Sequence, residues 1–121
     1  MKNILITGGA GYIGSHLCVM LLKKGYNVSI IDNLSNGKLS TIKKIEKISK
    51  KKIFFFNFDI KNISKTSRVL KIKKIDLIFH LAAFKEVNES IFMPEKYYNN
   101  NIYGVTRLIK AMELTNINKL I

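Results

Sequence analysis

The sequence predicts an α/β fold: a doubly wound parallel sheet with helices on both faces, reaching into a fifth strand as the chain ends. Three observations carry this. Short apolar, β-branched runs alternate with segments whose apolar residues recur at helical spacing. The first run, Ile4-Leu-Ile-Thr7, enters the loop Gly8-Gly-Ala-Gly-Tyr-Ile-Gly14, and a helical pattern leaves it. Two later runs close on an acid, Asp32 and Asp59. Such alternation builds βαβ units, whose parallel strands are covered on both faces.

The elements follow in order. Lys2 to Thr7 reads as a buried parallel strand. Tyr12 to Lys24 carries Ile13, Leu17, Met20 and Leu21 on one side of a helix, and Gly25 stops it. Asn27 to Ile31 is a second strand, followed by the turn Asn33-Leu-Ser-Asn-Gly37. In the lysine-rich segment beyond, Ile42, Ile45 and Ile48 predict an exposed helix with one narrow apolar stripe. Ile53 to Phe58 is a third strand, and Asn62 caps a short basic helix through Lys73. Ile75 to Leu81 is a fourth strand. Pro94 opens a long helix to Thr115, with Tyr98, Ile102, Val105, Ile109 and Met112 along one side. Lys119-Leu-Ile121 opens a fifth strand.

A chain of 121 residues with 47% hydrophobic content suits one domain with a buried core, and no repeat or linker divides it. No apolar run approaches the roughly 18 residues of a membrane span. The opening Met-Lys-Asn-Ile passes directly into a strand pattern, so no signal peptide and a cytoplasmic location are expected. Cys18, the single cysteine, excludes a disulfide framework and reads as a small apolar filler. The formal net charge of +13 would attract polyanions. Its cations are nearly all lysines, with only Arg68 and Arg107 as arginines, scattered among isoleucines and asparagines. Base readout favours arginines and aromatics gathered on one face, so no specific nucleic-acid partner is expected. No metal site is expected either.

The glycine loop points to a dinucleotide. It contains Gly9-x-Gly11-x-x-Gly14 and also Gly8-x-x-Gly11-x-x-Gly14, after a strand and at the start of a helix, the context such a motif requires. Glycine lets backbone approach a pyrophosphate without a Cβ, and the helix start offers unpaired N–H groups and partial positive charge. Asp32, at the end of the second strand, can accept both ribose hydroxyls while repelling a 2′-phosphate, which favours NAD over NADP. Asp59, at the end of the third, falls at the adenine end.

These residues resemble the UDP-glucose 4-epimerases, a group within the extended short-chain dehydrogenase/reductase family, in their N-terminal, cofactor-binding part. The matching segments are Thr7-Gly-Gly-Ala-Gly-Tyr-Ile-Gly-Ser-His16, Asp32-Asn-Leu-Ser-Asn-Gly37, Phe58-Asp-Ile60, His80-Leu-Ala-Ala-Phe-Lys-Glu-Val-Asn-Glu-Ser90 and Pro94-Glu-Lys-Tyr-Tyr-Asn-Asn-Asn-Ile-Tyr-Gly104. Together they cover essentially the whole chain. The resemblance makes Gly8, Gly11 and Gly14 the signature glycines. It implies that Tyr12 and Ile13 contact the pyrophosphate and that Asp32, Asn33 and Asn36, with Gly37 closing their turn, hold the adenosine ribose. It puts Asp59 and Ile60 at the adenine, Leu81, Ala82, Ala83 and Lys85 along the path to the nicotinamide, and Asn100 at the completed pocket. Glu86 and Tyr103 depart from the pattern, where a small residue and an asparagine are more usual.

The resemblance further implies a nucleotide-sugar substrate and a homodimer in the complete enzyme. Its chemistry rests on a Tyr-x-x-x-Lys pair and an upstream serine, with the lysine holding the tyrosine's pKa down. No tyrosine here fits. Tyr12, Tyr26, Tyr97, Tyr98 and Tyr103 are followed four residues later by His16, Ile30, Asn101, Ile102 and Arg107. No catalytic residue is therefore assigned, the C-terminal nucleotide-sugar domain is expected to be absent, and the chain alone is expected to be inactive. Structural roles are expected for His16 and His80. The alternatives are another NAD-dependent nucleotide-sugar epimerase or dehydratase, or a non-catalytic dinucleotide-binding remnant.

Overall fold

The computed structural model describes residues 2–82 and 91–121, with only the backbone of Asn100. Four parallel strands, β1 (Asn3–Thr7), β2 (Asn27–Ile31), β3 (Phe54–Phe56) and β4 (Leu77–His80), form one sheet in the order β3-β2-β1-β4. Helices α1 (Tyr12–Lys23) and α2 (Leu39–Ser49) cover one face, packing Cys18, Leu21, Leu22, Ile42 and Ile45 on Ile4, Ile6, Val28 and Ile30. Helix α3 (Ile63–Ile72) and the C-terminal helix cover the other, where Val69, Leu70, Leu108, Ala111 and Met112 meet Leu5, Ile31 and Ile78. The doubly wound parallel sheet predicted from the alternation is the fold observed.

Two strands are shorter than their apolar runs, for local reasons. Ile53 precedes β3 because its N–H donates to Glu46 Oε1 of α2 at 3.0 Å instead of to a ladder. Ile75 closes the end of α3, its N–H on the Leu70 carbonyl at 3.1 Å, so β4 begins two residues later. At the far end the pairing continues. Leu120 bridges Ile78 in parallel, and the Ile121 N–H reaches the Ile78 carbonyl at 2.9 Å. The predicted opening of a fifth strand is thus seated on the free side of β4.

Asn62 caps α3 as its sequence position requires, Oδ1 accepting the Lys65 N–H at 3.0 Å. In α2, Ile42 and Ile45 are buried but Ile48 is exposed, and Ser49 takes the third inward place. A spacing of three loses about 60° per step at roughly 3.6 residues per turn, so the third isoleucine has swung off the face that the second still shares.

The long C-terminal helix forms, in three pieces: α4 (Pro94–Tyr97), a π-helical turn (Tyr98–Tyr103) and α5 (Gly104–Thr115). The apolar stripe read along it, which the sequence left undivided between the sheet and a partner, splits between the two sides. Gly104, Leu108, Ala111 and Met112 go inward, while Tyr98, Ile102 and Ile109 remain exposed. Small residues decide the roll: without a side chain at Gly104 and with only a methyl at Ala111, the helix axis approaches the sheet, and Gly104 settles against Ile60.

Candidate functional site

At the carboxyl ends of β1, β2 and β4 the backbone is tied together. The Gly8 N–H donates to the Ile31 carbonyl at 2.9 Å, joining the exit of β1 to β2. Gly8 has φ +73°, and a Cβ there would lie 2.8 Å from the Leu81 carbonyl and the Ala82 nitrogen. The loop is therefore pressed against the exit of β4, which a side chain would prevent. Gly14 has its bare side against the Gly8 carbonyl oxygen, so α1 starts close to β1. Gly9 belongs to a different contact: it leaves room for the Ile30 side chain under the loop and does not face the crevice. Of the two glycine spacings in the sequence, the 8/11/14 set borders the open space.

That space is a crevice of about 500 Å³ along the sheet edge. One wall is the start of α1, with Gly11, Tyr12, Ile13 and Gly14. The N–H groups of its first turn have no carbonyl behind them, no side chain caps them, and no acidic residue lies there. Tyr12 is 82% exposed, lying beside the His16 ring with centroids 4.7 Å apart. One His16 ring nitrogen donates to the Tyr12 carbonyl at 2.8 Å.

Asp32, Asn33, Asn36 and Gly37 form the second wall, and Asp59 with Ile60 the third. Asp32 is buried, and its carboxylate organises the loops around it. Oδ2 accepts the Ala10 N–H at 3.0 Å and Oδ1 the Leu34 N–H at 2.7 Å. Each oxygen keeps lone-pair capacity toward the crevice. Asn33 links this wall to the next: its Oδ1 accepts the Ser35 N–H and its Nδ2 donates to Asp59 Oδ2 at 3.3 Å. Asp59 also accepts the Lys61 N–H at 2.9 Å and pairs with the Lys61 ammonium at 3.5 Å. Gly37 lies so close to Ala10 that a Cβ would come within 2.7 Å of it, drawing the turn after β2 against the glycine loop. Leu81 and Ala82 complete the lining.

Thirteen of the residues singled out in the sequence thus share one crevice: Gly8, Gly11, Tyr12, Ile13, Gly14, Asp32, Asn33, Asn36, Gly37, Asp59, Ile60, Leu81 and Ala82. Ala83, Lys85 and the Asn100 side chain lie outside the described residues. Ile31, Ser35 and Phe58 also line it and went unassigned from sequence. Their signal was position alone, since Ile31 and Phe58 immediately precede the two strand-end acids.

His80 sits beneath this edge. Thr7 Oγ1 accepts the Leu81 and Ala82 N–H groups at 3.1 and 3.3 Å, so its own proton goes to His80 Nδ1, 2.7 Å away. This arrangement favours the neutral ring, with Nδ1 as the acceptor, and burial lowers the His80 pKa below its usual 6.5. Cys18 is fully buried in the α1 face, its thiol pushed up to about 12, which leaves it inert at neutral pH. Among the described residues, no group of three or more His, Cys, Asp or Glu side chains could hold a metal ion, and no helix is long and apolar enough to cross a membrane.

A parallel sheet in this order, with a bare glycine turn opening its first helix, defines a Rossmann-like domain. Among such domains the chain belongs to the GDP-mannose 4,6 dehydratase family, whose profile matches residues 5–121. Its relatives include the UDP-glucose 4-epimerase of Schizosaccharomyces pombe, 44% identical over 115 residues that make up 95% of this chain and 32% of that protein. The UDP-glucose 4-epimerase of Klebsiella pneumoniae is 40% identical over 119 residues, 98% of this chain and 86% of that sequence. Among solved structures, the Stenotrophomonas maltophila UDP-glucose 4-epimerase with bound NAD and formylated UDP-arabinopyranose superposes with a TM-score of 0.98 at 38% identity. That match spans 99% of this chain and 36% of the other. The chain spans about a third of the length of most of the curated relatives it matches, and it aligns as an N-terminal portion of UDP-glucose 4-epimerases.

Proposed function

We propose that this chain is the NAD-binding portion of a UDP-glucose 4-epimerase, with the dinucleotide lying across the crevice. The observation that carries the reading is the meeting, along one sheet edge, of the uncapped first turn of α1 with the Asp32 and Asp59 carboxylates. In this arrangement the N–H groups of Tyr12 and Ile13 face the diphosphate, where the missing Cβ of Gly11 allows contact. Asp32, Asn33 and Asn36, with Gly37 setting their turn, take the adenosine ribose. An anionic acceptor at that wall excludes a 2′-phosphate. Asp59 and Ile60 flank the adenine. Leu81 and Ala82 face the nicotinamide end, to which the resemblance also assigns Ala83, Lys85 and Asn100.

NAD, when bound, supplies a reversible hydride acceptor. The resident residues of this chain bind and orient it. The complete enzyme would interconvert UDP-glucose and UDP-galactose through a transient 4-keto sugar, using a Tyr-x-x-x-Lys pair that these 121 residues do not contain. The exposed stripe of Tyr98, Ile102 and Ile109 suits a homodimer contact in that complete enzyme. A second reading, another nucleotide-sugar epimerase or dehydratase, draws support from the family profile, which carries a dehydratase name.

Titration calorimetry of the chain with NAD tests the binding claim. Heat of binding that is lost in Gly11→Val is expected; heat equal to dilution alone would overturn it. Joining the chain to a C-terminal half that supplies Tyr-x-x-x-Lys, then assaying UDP-galactose, UDP-glucose and a GDP-sugar, tests the substrate reading.

A further inference from the structure

We propose that the groove between α3 and the outer edge of β3 docks an extended acidic peptide, which pairs with β3 and sets an aromatic side chain on its apolar floor. The groove encloses about 540 Å³ and lies away from the cofactor crevice, with Phe58 the only residue common to both linings. Phe54, Phe56, Val69 and Ile72 make the floor, and Phe54 and Ile72 are 48% and 65% exposed. Aliphatic and aromatic surface of this kind left open beside a sheet edge marks a contact site.

The strand supplies the pairing. Among the described residues, β3 is hydrogen-bonded to β2 alone. The Phe56 carbonyl accepts from Asp32 at 3.2 Å, so Phe54 and Phe56 direct their backbone groups inward. By the alternation of a parallel ladder, the Phe55 N–H and carbonyl point outward, where no strand among the described residues meets them. An added strand would satisfy both.

Charge selects the peptide. Lys65, Arg68 and Lys73 rim the groove, and among the described residues no carboxylate pairs with any of them. Two of the cations rest on aromatic faces, Lys73 Nζ at 3.3 Å from the centre of the Phe54 ring and Lys65 Nζ at 5.9 Å from that of Phe58. A glutamate arriving along the edge gives them an anion while the rings stay covered. The outward Phe55 N–H and carbonyl call for a partner backbone that carries both a donor and an acceptor, which a peptide has and a sugar-phosphate strand lacks, so the geometry favours peptide over single-stranded nucleic acid.

The test is fluorescence anisotropy of the full chain with a short labelled peptide in which phenylalanine and glutamate take turns at every second position with serine between them, so that both kinds of side chain face α3 when the peptide pairs with β3. Saturable binding is expected, weakened by about tenfold or more in Arg68→Glu/Lys73→Glu and in a peptide N-methylated at alternate amides. The charge-reversed chain should keep its melting temperature and its NAD affinity, which separates this surface from the crevice. Absence of peptide binding would overturn the proposal. So would equal affinity for the N-methylated peptide, or stronger binding of an oligothymidylate than of the peptide.

Discussion

The glycine loop before α1 and the groove beside β3 both turn positive character toward solvent, and they do so by opposite means. At the loop the donors are backbone N–H groups, fixed because Gly8, Gly14 and Gly37 touch neighbouring main chain where a Cβ would collide. At the groove the donors are three long cationic side chains, two of them over phenylalanine rings, and none is held by a carboxylate among the described residues. A rigid array of short-range dipoles recognises one geometry and loses it with one methyl group. Flexible ammonium and guanidinium groups accept many geometries and are weakened by salt. Substitution should therefore be severe at the loop and mild at the groove.

The largest effect is expected from Gly14→Val. Its Cβ would overlap the Gly8 carbonyl oxygen, a backbone atom that cannot rotate aside, and a loss of about 3 kcal/mol is expected in urea unfolding. A stability within about 0.5 kcal/mol of wild type would show that the loop yields, and the contrast with the groove would fail. Next comes Asp32→Ala. It frees the Ala10 and Leu34 N–H groups and removes the proposed ribose acceptor, so NAD affinity should fall at least about thirtyfold, roughly 2 kcal/mol. Calorimetry measures this, and an unchanged affinity would remove Asp32 from the site.

His80 gives a smaller, pH-dependent effect beneath the loop. Its pKa is lowered in the folded chain, so the unfolded chain binds the extra proton first as pH falls. The contribution is complete above the unfolded value of about 6.5 and is lost below it, toward the lower folded pKa. Melting temperature should drop between about pH 7 and pH 5, and His80→Gln should flatten that part of the profile. An identical slope in the variant would assign the acid sensitivity elsewhere. The smallest effects belong to the groove. Phe54→Ala should cost about 1 kcal/mol, because half of the ring is already in water and the contact with Lys73 adds little. Arg68→Glu should stay within about 0.5 kcal/mol of wild type.

Much of the fold and most of the crevice were legible in the chain. Strand runs, the Asn62 cap, the glycine turn and the two strand-end acids are local signals, each written within a few residues. What misled was phase. Three isoleucines spaced by three promised a stripe in α2 that the second and third cannot both keep to, and Ser49 went inward where Ile48 was expected. In α5 the apolar stripe split, Met112 going inward and Ile109 staying out, because hydrophobicity says where a helix can bury a face and not how close its axis can come. Ser35, Ile31 and Phe58 escaped assignment for a related reason: they line the crevice through their place beside signalling residues, not through chemistry of their own.

The sequence by itself determined the order of the elements, the parallel sheet and the residues that gather at its carboxyl edge, since strand ends in βαβ units fall on one side whatever the packing detail. Only the tertiary structure decided which glycines face open space and which make room for a neighbour, how α5 rolls on Gly104 and Ala111, and that cations with no carboxylate partner among the described residues line the groove beside β3. Those depend on distances between residues far apart in the chain, and no pattern along the chain records them.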